Sequence, residues 1–138
     1  MSDIIEFEIS HEYDTREIGI TVKTKLTHGK EFVEFYAKVD TGSSYCIFER
    51  IHGENIGIDI ENSDEIKIST VRGNFPAYGH ELTLSVLGIE FVSTVYFAKE
   101  ESFTRNVLGR QGWLDRVKLG LIDYEGRLFL SEYNARNG

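Results

Sequence analysis

One carboxylate in this chain sits in a setting suited to acid–base chemistry. The run Val39-Asp40-Thr41-Gly42-Ser43-Ser44 follows directly on a strand-like segment, residues 31–39 (EFVEFYAKV). A strand that ends in a glycine-containing turn holds Asp40 rigidly, while Thr41 and Ser43 set hydroxyls beside it. Gly42 has no Cβ, so backbone groups and a substrate can both approach the carboxylate. Asp-Thr-Gly is also ordinary turn chemistry, and the tripeptide alone leaves both readings open. Other candidates are weaker. His11, His28, His52 and His80 are far apart without paired metal spacing, and His28 and His52 fall in turn-like contexts that imply exposure. Asp123 and Glu125 flank a turn before Gly126 and read as hairpin chemistry.

The elements that must position Asp40 read as β almost throughout. Residues 18–26 (IGITVKTKL) alternate, with Ile18, Ile20, Val22 and Leu26 on related faces, and Thr27-His28-Gly29-Lys30 turns the chain into residues 31–39 as a hairpin. Residues 48–56 allow one short, poor helix. Residues 66–71 form a strand, Arg72-Gly73-Asn74 a turn, and residues 75–87 a long strand with His80, Leu82, Leu84 and Val86 on one face. Leu87-Gly88 turns into residues 89–98 (IEFVSTVYFA), also strongly β. Pro76, the single proline, sits near the preceding turn, where a missing N–H is tolerated. Residues 110–117, with Trp113, Leu114 and Val117 apolar, read as the one clear helix. Residues 119–122 and 127–130 make a last hairpin, and residues 4–9 read as an edge strand. Phe32, Phe35, Phe91, Phe97 and Trp113 are expected in the core, with Phe75 and Tyr78 as candidates to line a cleft.

Composition narrows the class. A chain of 138 residues, 41% hydrophobic and with mean hydropathy −0.27, is expected to form one soluble domain, residues 18–138, preceded by an N-terminal extension or edge strand over residues 1–17. The net charge of −8, without a Lys/Arg cluster, argues against nucleic acid as a partner. No apolar run is long enough to span a bilayer, and Met1-Ser2-Asp3 lacks a signal-peptide pattern, so neither a membrane nor export is expected. One cysteine, Cys46, excludes an internal disulfide and favours a reducing, cytoplasmic setting; between Tyr45 and Ile47 it reads as core packing. No cofactor or metal is expected.

Two motifs in order, Val39-Asp40-Thr41-Gly42-Ser43-Ser44 and Val107-Leu108-Gly109-Arg110, within a series of short strands, make residues 18–130 resemble the retropepsin-like, single-domain aspartic proteases, including their bacterial members. The resemblance implies an all-β acid-protease half-barrel with one short helix in its C-terminal half and a flap hairpin over the cleft. It implies hydrolysis of peptide bonds in a polypeptide substrate, with water activated between two carboxylates that share a proton. With one Asp-Thr-Gly per chain, the second Asp40 comes from a twofold partner, so the enzyme is an obligate homodimer. Asp40 is then the catalytic carboxylate, Thr41 braces the two loops across the axis, and Gly42 offers backbone groups. Ser43 and the flap residues Arg72, Gly73, Asn74 and Phe75 contact substrate. Val107, Leu108, Gly109 and Arg110 cross behind the active-site loop. Viral members carry an acidic residue where this chain has Ser44, and their flap is richer in glycine; the Ser-Ser form is closer to the two-lobed pepsin-like enzymes and to bacterial members. A non-catalytic relative, kept for peptide binding or dimerisation, has the same fold. Because a dimer carries roughly twice the −8 charge, self-repulsion eases toward the isoelectric point of about 5.0, which suits an acidic optimum.

Overall fold

The computed structural model describes residues 2–135; Met1 and residues 136–138, which belong to the expected N-terminal and domain spans, lie outside the described residues. The strands are β1 (Ile9–Glu12), β2 (Thr21–His28), β3 (Glu31–Val39), β4 (Ile47–Phe48), β5 (Glu65–Thr70), β6 (Gly73–Val86), β7 (Ile89–Ala98), β8 (Val107–Leu108), β9 (Val117–Ile122) and β10 (Arg127–Glu132). A single α-helix among the described residues, α1 (Arg50–Asn55), follows β4.

The β2–β3 hairpin follows from period-two patterning. Val22, Thr24 and Leu26 point inward from β2, and Val33, Phe35 and Ala37 take the same side of β3. Gly29, at φ +61°, closes the turn so that His28 faces Glu31. Two expectations fail here on parity and on backbone. Phe32 takes the outward parity of β3, is 56% exposed and lies under the Lys25 ammonium, 4.5 Å from its ring centroid. Ile18 is 94% exposed, because Gly19 at φ +80° interrupts the extended chain before Thr21.

Six strands close on themselves. The order β2-β3-β8-β4-β7-β6 returns to β2 through an added β2–β6 pairing, Thr24↔Val86 to Thr27↔Thr83, while β5 hangs from the first half of β6. Closure removes two sheet edges and leaves the β5–β6 hairpin projecting as an arm. Pro76 pairs with Lys67 just beyond the last β6–β7 pair, Ala77↔Ala98, and its carbonyl accepts from Lys99 N at 3.1 Å, so it sits at the end of the β6–β7 ladder, where a missing N–H is tolerated. A separate three-stranded sheet, β1-β10-β9, draws the N-terminal segment back onto the C-terminal hairpin. Its first strand is Ile9–Glu12 rather than residues 4–9. The Tyr13 hydroxyl donates to Asp123 at 2.6 Å, an interaction with the carboxylate that pushes the phenol up to about 12.

The helix expected over residues 110–117 is absent. Gly112 sits at φ +99° and Trp113 at φ −139°, neither helical, and only a 3₁₀ turn forms at Leu114–Arg116. The apolar spacing of Trp113, Leu114 and Val117 instead serves packing, with Trp113 1% exposed. The short helix instead forms earlier, within the expected 48–56 stretch.

The main core joins Val22, Leu26, Leu84, Phe48, Phe97, Trp113, Leu108, Leu128 and Leu130, so the barrel and the three-stranded sheet share one interior. Phe91 is only half-buried, stacked against Arg116 at 4.5 Å. His52, expected to be solvent-exposed, is covered: its ring stacks on Phe35 with centroids 4.0 Å apart. Its Nε2 makes no hydrogen bond, although Glu49 Oε2 lies 3.4 Å away. Burial holds the imidazole below its usual range, against the pull of Glu49. A folded-state value below 6.5 means that the unfolded chain takes up this proton first as pH falls. The stability that neutral His52 contributes is therefore complete above 6.5 and lost as pH drops through the lowered value. Melting temperatures are expected to fall between about pH 7 and about pH 5 more steeply for the wild type than for His52→Phe, which keeps the ring stack without the titration. Equal slopes in calorimetric scans would refute this.

Candidate active site

Asp40 is placed by the last turn of backbone after β3. Lys38 and Val39 pair in parallel with Val107 and Leu108, and the Asp40 N–H donates to the Leu108 carbonyl at 3.0 Å. The chain then folds back tightly: Ser43 N donates to the Asp40 carbonyl at 3.1 Å and Gly42 N to the Asp40 carboxylate, Oδ1, at 2.9 Å. A Cβ on Gly42 would stand 3.2 Å from that same oxygen, so glycine permits the N–H to reach it. The Ser43 hydroxyl donates to the Tyr45 carbonyl at 2.8 Å, closing the loop and not the carboxylate.

β8 runs between the loop and β4. It is parallel to β3, antiparallel to β4 through Ile47↔Val107, and its continuation meets the loop through Arg110 N to Ser43 O and Gln111 N to Ser44 O, each 2.9 Å. Val107, Leu108 and Gly109 are buried and lie behind the Asp40 loop. Gly109 is the tightest point: an added Cβ would collide with the Tyr45 carbonyl and stand 2.7 Å from Ser43 O. The Gly109 N–H points to Cys46 Sγ at 3.4 Å, and burial pushes the Cys46 thiol up to about 12. Cys46 is a core group, not a nucleophile. Arg110 contributes its backbone to the loop, but its side chain is exposed and enters no ion pair among the described residues.

A cleft of about 450 Å³ opens in front of the loop. Asp40, Gly42 and Ser43 form its floor, Lys67 to Thr70 of β5 and Phe75 of β6 its roof, and Phe103 and Arg105 one side. Asp40 is the only carboxylate among the described residues that line it. A small apolar cluster of Ile47, Ile68 and Ala77, with Tyr45, Phe75 and Phe103 against it, ties the arm to the floor; the Phe75 and Phe103 rings are 5.0 Å apart.

The structure brings together Asp40, Gly42, Ser43 and Phe75. Thr41 is exposed on the loop and does not line the cleft, and Arg72, Gly73 and Asn74 sit at the exposed tip of the arm, outside it. At that tip the Thr70 hydroxyl donates to Gly73 O at 2.9 Å and accepts from Arg72 N at 3.2 Å, and Val71 is fully exposed. Tyr78 is buried and donates to Glu65, away from the cleft. Lys67, Ile68, Ser69 and Thr70 also line the cleft; alternation along the expected strand nominates at most one face of it, and the cleft reaches residues of both parities. Phe103 and Arg105 had no local signal, since the return of residues 99–106 to the floor is a tertiary event. No group of three or more His, Cys, Asp or Glu side chains is gathered to hold a metal among the described residues, and no described helix is long and apolar enough to cross a membrane.

The closed ring, the strand threaded behind an Asp-Thr-Gly loop and the arm above it define a retropepsin-like, all-β fold. Among solved structures the chain is similar to the EIAV protease complexed with the inhibitor HBY-793, with 17% identity, 68% of this chain and 84% of that chain covered, and a TM-score of 0.55. That likeness establishes the fold. No family model and no curated protein matches the chain.

Gly109→Ala tests the threading directly. The collision is with backbone carbonyls, which cannot swing aside as a flexible side chain does, so the variant is expected to lose about 3 kcal/mol of stability, the upper end for overpacking, or to fail to fold. Denaturant unfolding should show a larger loss than for Gly29→Ala, where nothing lies within 4 Å of the added Cβ and the cost is only that of a left-handed backbone at φ +61°.

Proposed function

We propose that this chain is an aspartic-type endopeptidase that works as a homodimer, with Asp40 from each protomer forming the catalytic pair. The observation that carries this reading is the isolation of Asp40: a single carboxylate, fixed by a backbone N–H, on the floor of a cleft that contains no second acid among the described residues. Splitting a peptide bond with water takes both a base and an acid. A twofold axis beside the exposed Thr41 would supply the second group from the same residue.

One Asp40 carboxylate takes a proton from the water as its oxygen attacks the carbonyl carbon, and the other, protonated, donates to the carbonyl oxygen. The tetrahedral diol then collapses: the C–N bond breaks as the amide nitrogen gains a proton and the carbonyl reforms. Two carboxylates so close cannot both ionise, which keeps one proton between them. In this reading Thr41 braces the loops across the axis, Gly42 contributes its N–H, and Ser43 and Phe75 border the substrate. Arg72, Gly73 and Asn74 reach an extended polypeptide when the arm closes. Val107, Leu108, Gly109 and the Arg110 backbone hold the loop from behind.

Purified wild type is expected to cleave an unfolded protein between about pH 4 and about pH 7, with Asp40→Asn slower by about 10²- to 10⁴-fold. Both should sediment as dimers. Dimers of both that bind extended peptide without turnover would identify a non-catalytic binding or dimerisation module, and a monomer with full activity would exclude the shared pair.

A further inference from the structure

The charge of the cleft runs opposite to the charge of the chain. The protein carries 23 Asp and Glu against 15 Lys and Arg. Yet the cleft lining holds two cations, Lys67 and Arg105, against one carboxylate, Asp40. Outside the cleft four cations are matched with acids among the described residues, Arg16 with Asp14, Lys23 with Glu34, Arg50 with Glu54 and Glu61, and Arg127 with Glu125, while others, Arg110 among them, are not. Lys67 and Arg105 enter no ion pair among the described residues. The nearest acids along the chain are engaged or turned elsewhere. Glu65, two residues before Lys67 on β5, accepts from the Tyr78 hydroxyl at 3.1 Å. Glu101, in the segment that carries Arg105, lies in a separate groove beside α1 with Glu49, Arg50 and Glu54.

The two cations come from different walls. Lys67 belongs to the β5 roof, and Arg105 to the segment that enters β8. Between them the lining is apolar or hydroxylic, with Ile47, Ile68, Phe75 and Phe103 on one hand and Ser69 and Thr70 on the other. A ligand that matches both properties is a polypeptide segment with an apolar side chain and a carboxylate close together. We infer that the cleft selects polypeptide segments with a Glu or Asp side chain next to the bond held over Asp40, and that Lys67 and Arg105 are the residues that recognise it. This rests on the proposed peptide-binding role of the cleft and names its substrate class. Both cations are solvent-exposed, so the selectivity is electrostatic, modest per contact and screened by salt.

The test uses Asp40→Asn protein, which retains the cleft but removes turnover, and short labelled peptides that differ only in Glu or Gln at one position, scanned along the chain. At low ionic strength one or two positions are expected to favour Glu by about threefold to tenfold in affinity. Arg105→Glu and Lys67→Glu should each abolish or reverse that preference, and raised salt should erase it. Equal affinity for the Glu and Gln peptides, binding of neither, or a preference that survives both charge reversals overturns the inference. The outcome is separable from the proposed chemistry. A wild type that cleaves unfolded protein without favouring acidic sites refutes the selectivity alone. Charge-dependent peptide binding without any turnover refutes the protease and leaves the selectivity standing.

Discussion

Everything at this site depends on two residues of strand, Val107 and Leu108, inserted between β3 and β4. Their carbonyls and amides link two chain segments some seventy residues apart, as the Asp40 N–H to Leu108 O contact shows. The loop has few contacts of its own: the Gly42 N–H on the carboxylate, the Ser43 N–H on the Asp40 carbonyl and the Ser43 hydroxyl on the Tyr45 carbonyl. It gains rigidity from behind, where Arg110 and Gln111 donate to the Ser43 and Ser44 carbonyls. Gly109 is required because these backbones approach within less than the thickness of a methyl group.

The closed ring of strands explains how so short an insertion is held. β6 is long enough to pair with β5, β7 and β2 along different parts of its length. Its second half completes the barrel, and its first half leaves the barrel with β5 as a two-stranded arm. Such an arm has little stability by itself. The apolar cluster of Ile47, Ile68 and Ala77, with Phe75 against Phe103, supplies contact at its base, whereas its tip has only local hydrogen bonds. The roof is thus anchored at its base and the floor from behind, which leaves the tip as the part of the arm with fewest contacts.

Much of this was legible in the sequence where one period ruled. β3 and β7 begin and end where alternation says, and the Gly29 and Leu87-Gly88 turns stand at positive φ as turn residues should. The two motifs around Asp40 and Gly109 are adjacent in the fold, joined by the Asp40 N–H to Leu108 O and Arg110 N to Ser43 O bonds. The errors came from short apolar runs. Trp113, Leu114 and Val117 have helical spacing, but Gly112 at φ +99° forbids a helix, and they meet the core from a loop, a 3₁₀ turn and the start of β9 in turn. Phe32 and Phe35 are equally apolar, and only the parity of β3 sends one out and the other in.

By itself the sequence determined an all-β chain, the placing of one carboxylate at the end of a strand, and the glycine that lets a second strand pass behind it. These are local properties, set by side-chain alternation and by backbone angles that few residues adopt. Only the tertiary structure decided which residues share the cleft with Asp40. Lys67 and Arg105 are 27 and 65 positions away in the chain, and no pattern near either one reports the other. Their meeting depends on barrel closure and on the path of residues 99–106, and both follow from packing between distant segments, which carries no short-range signature.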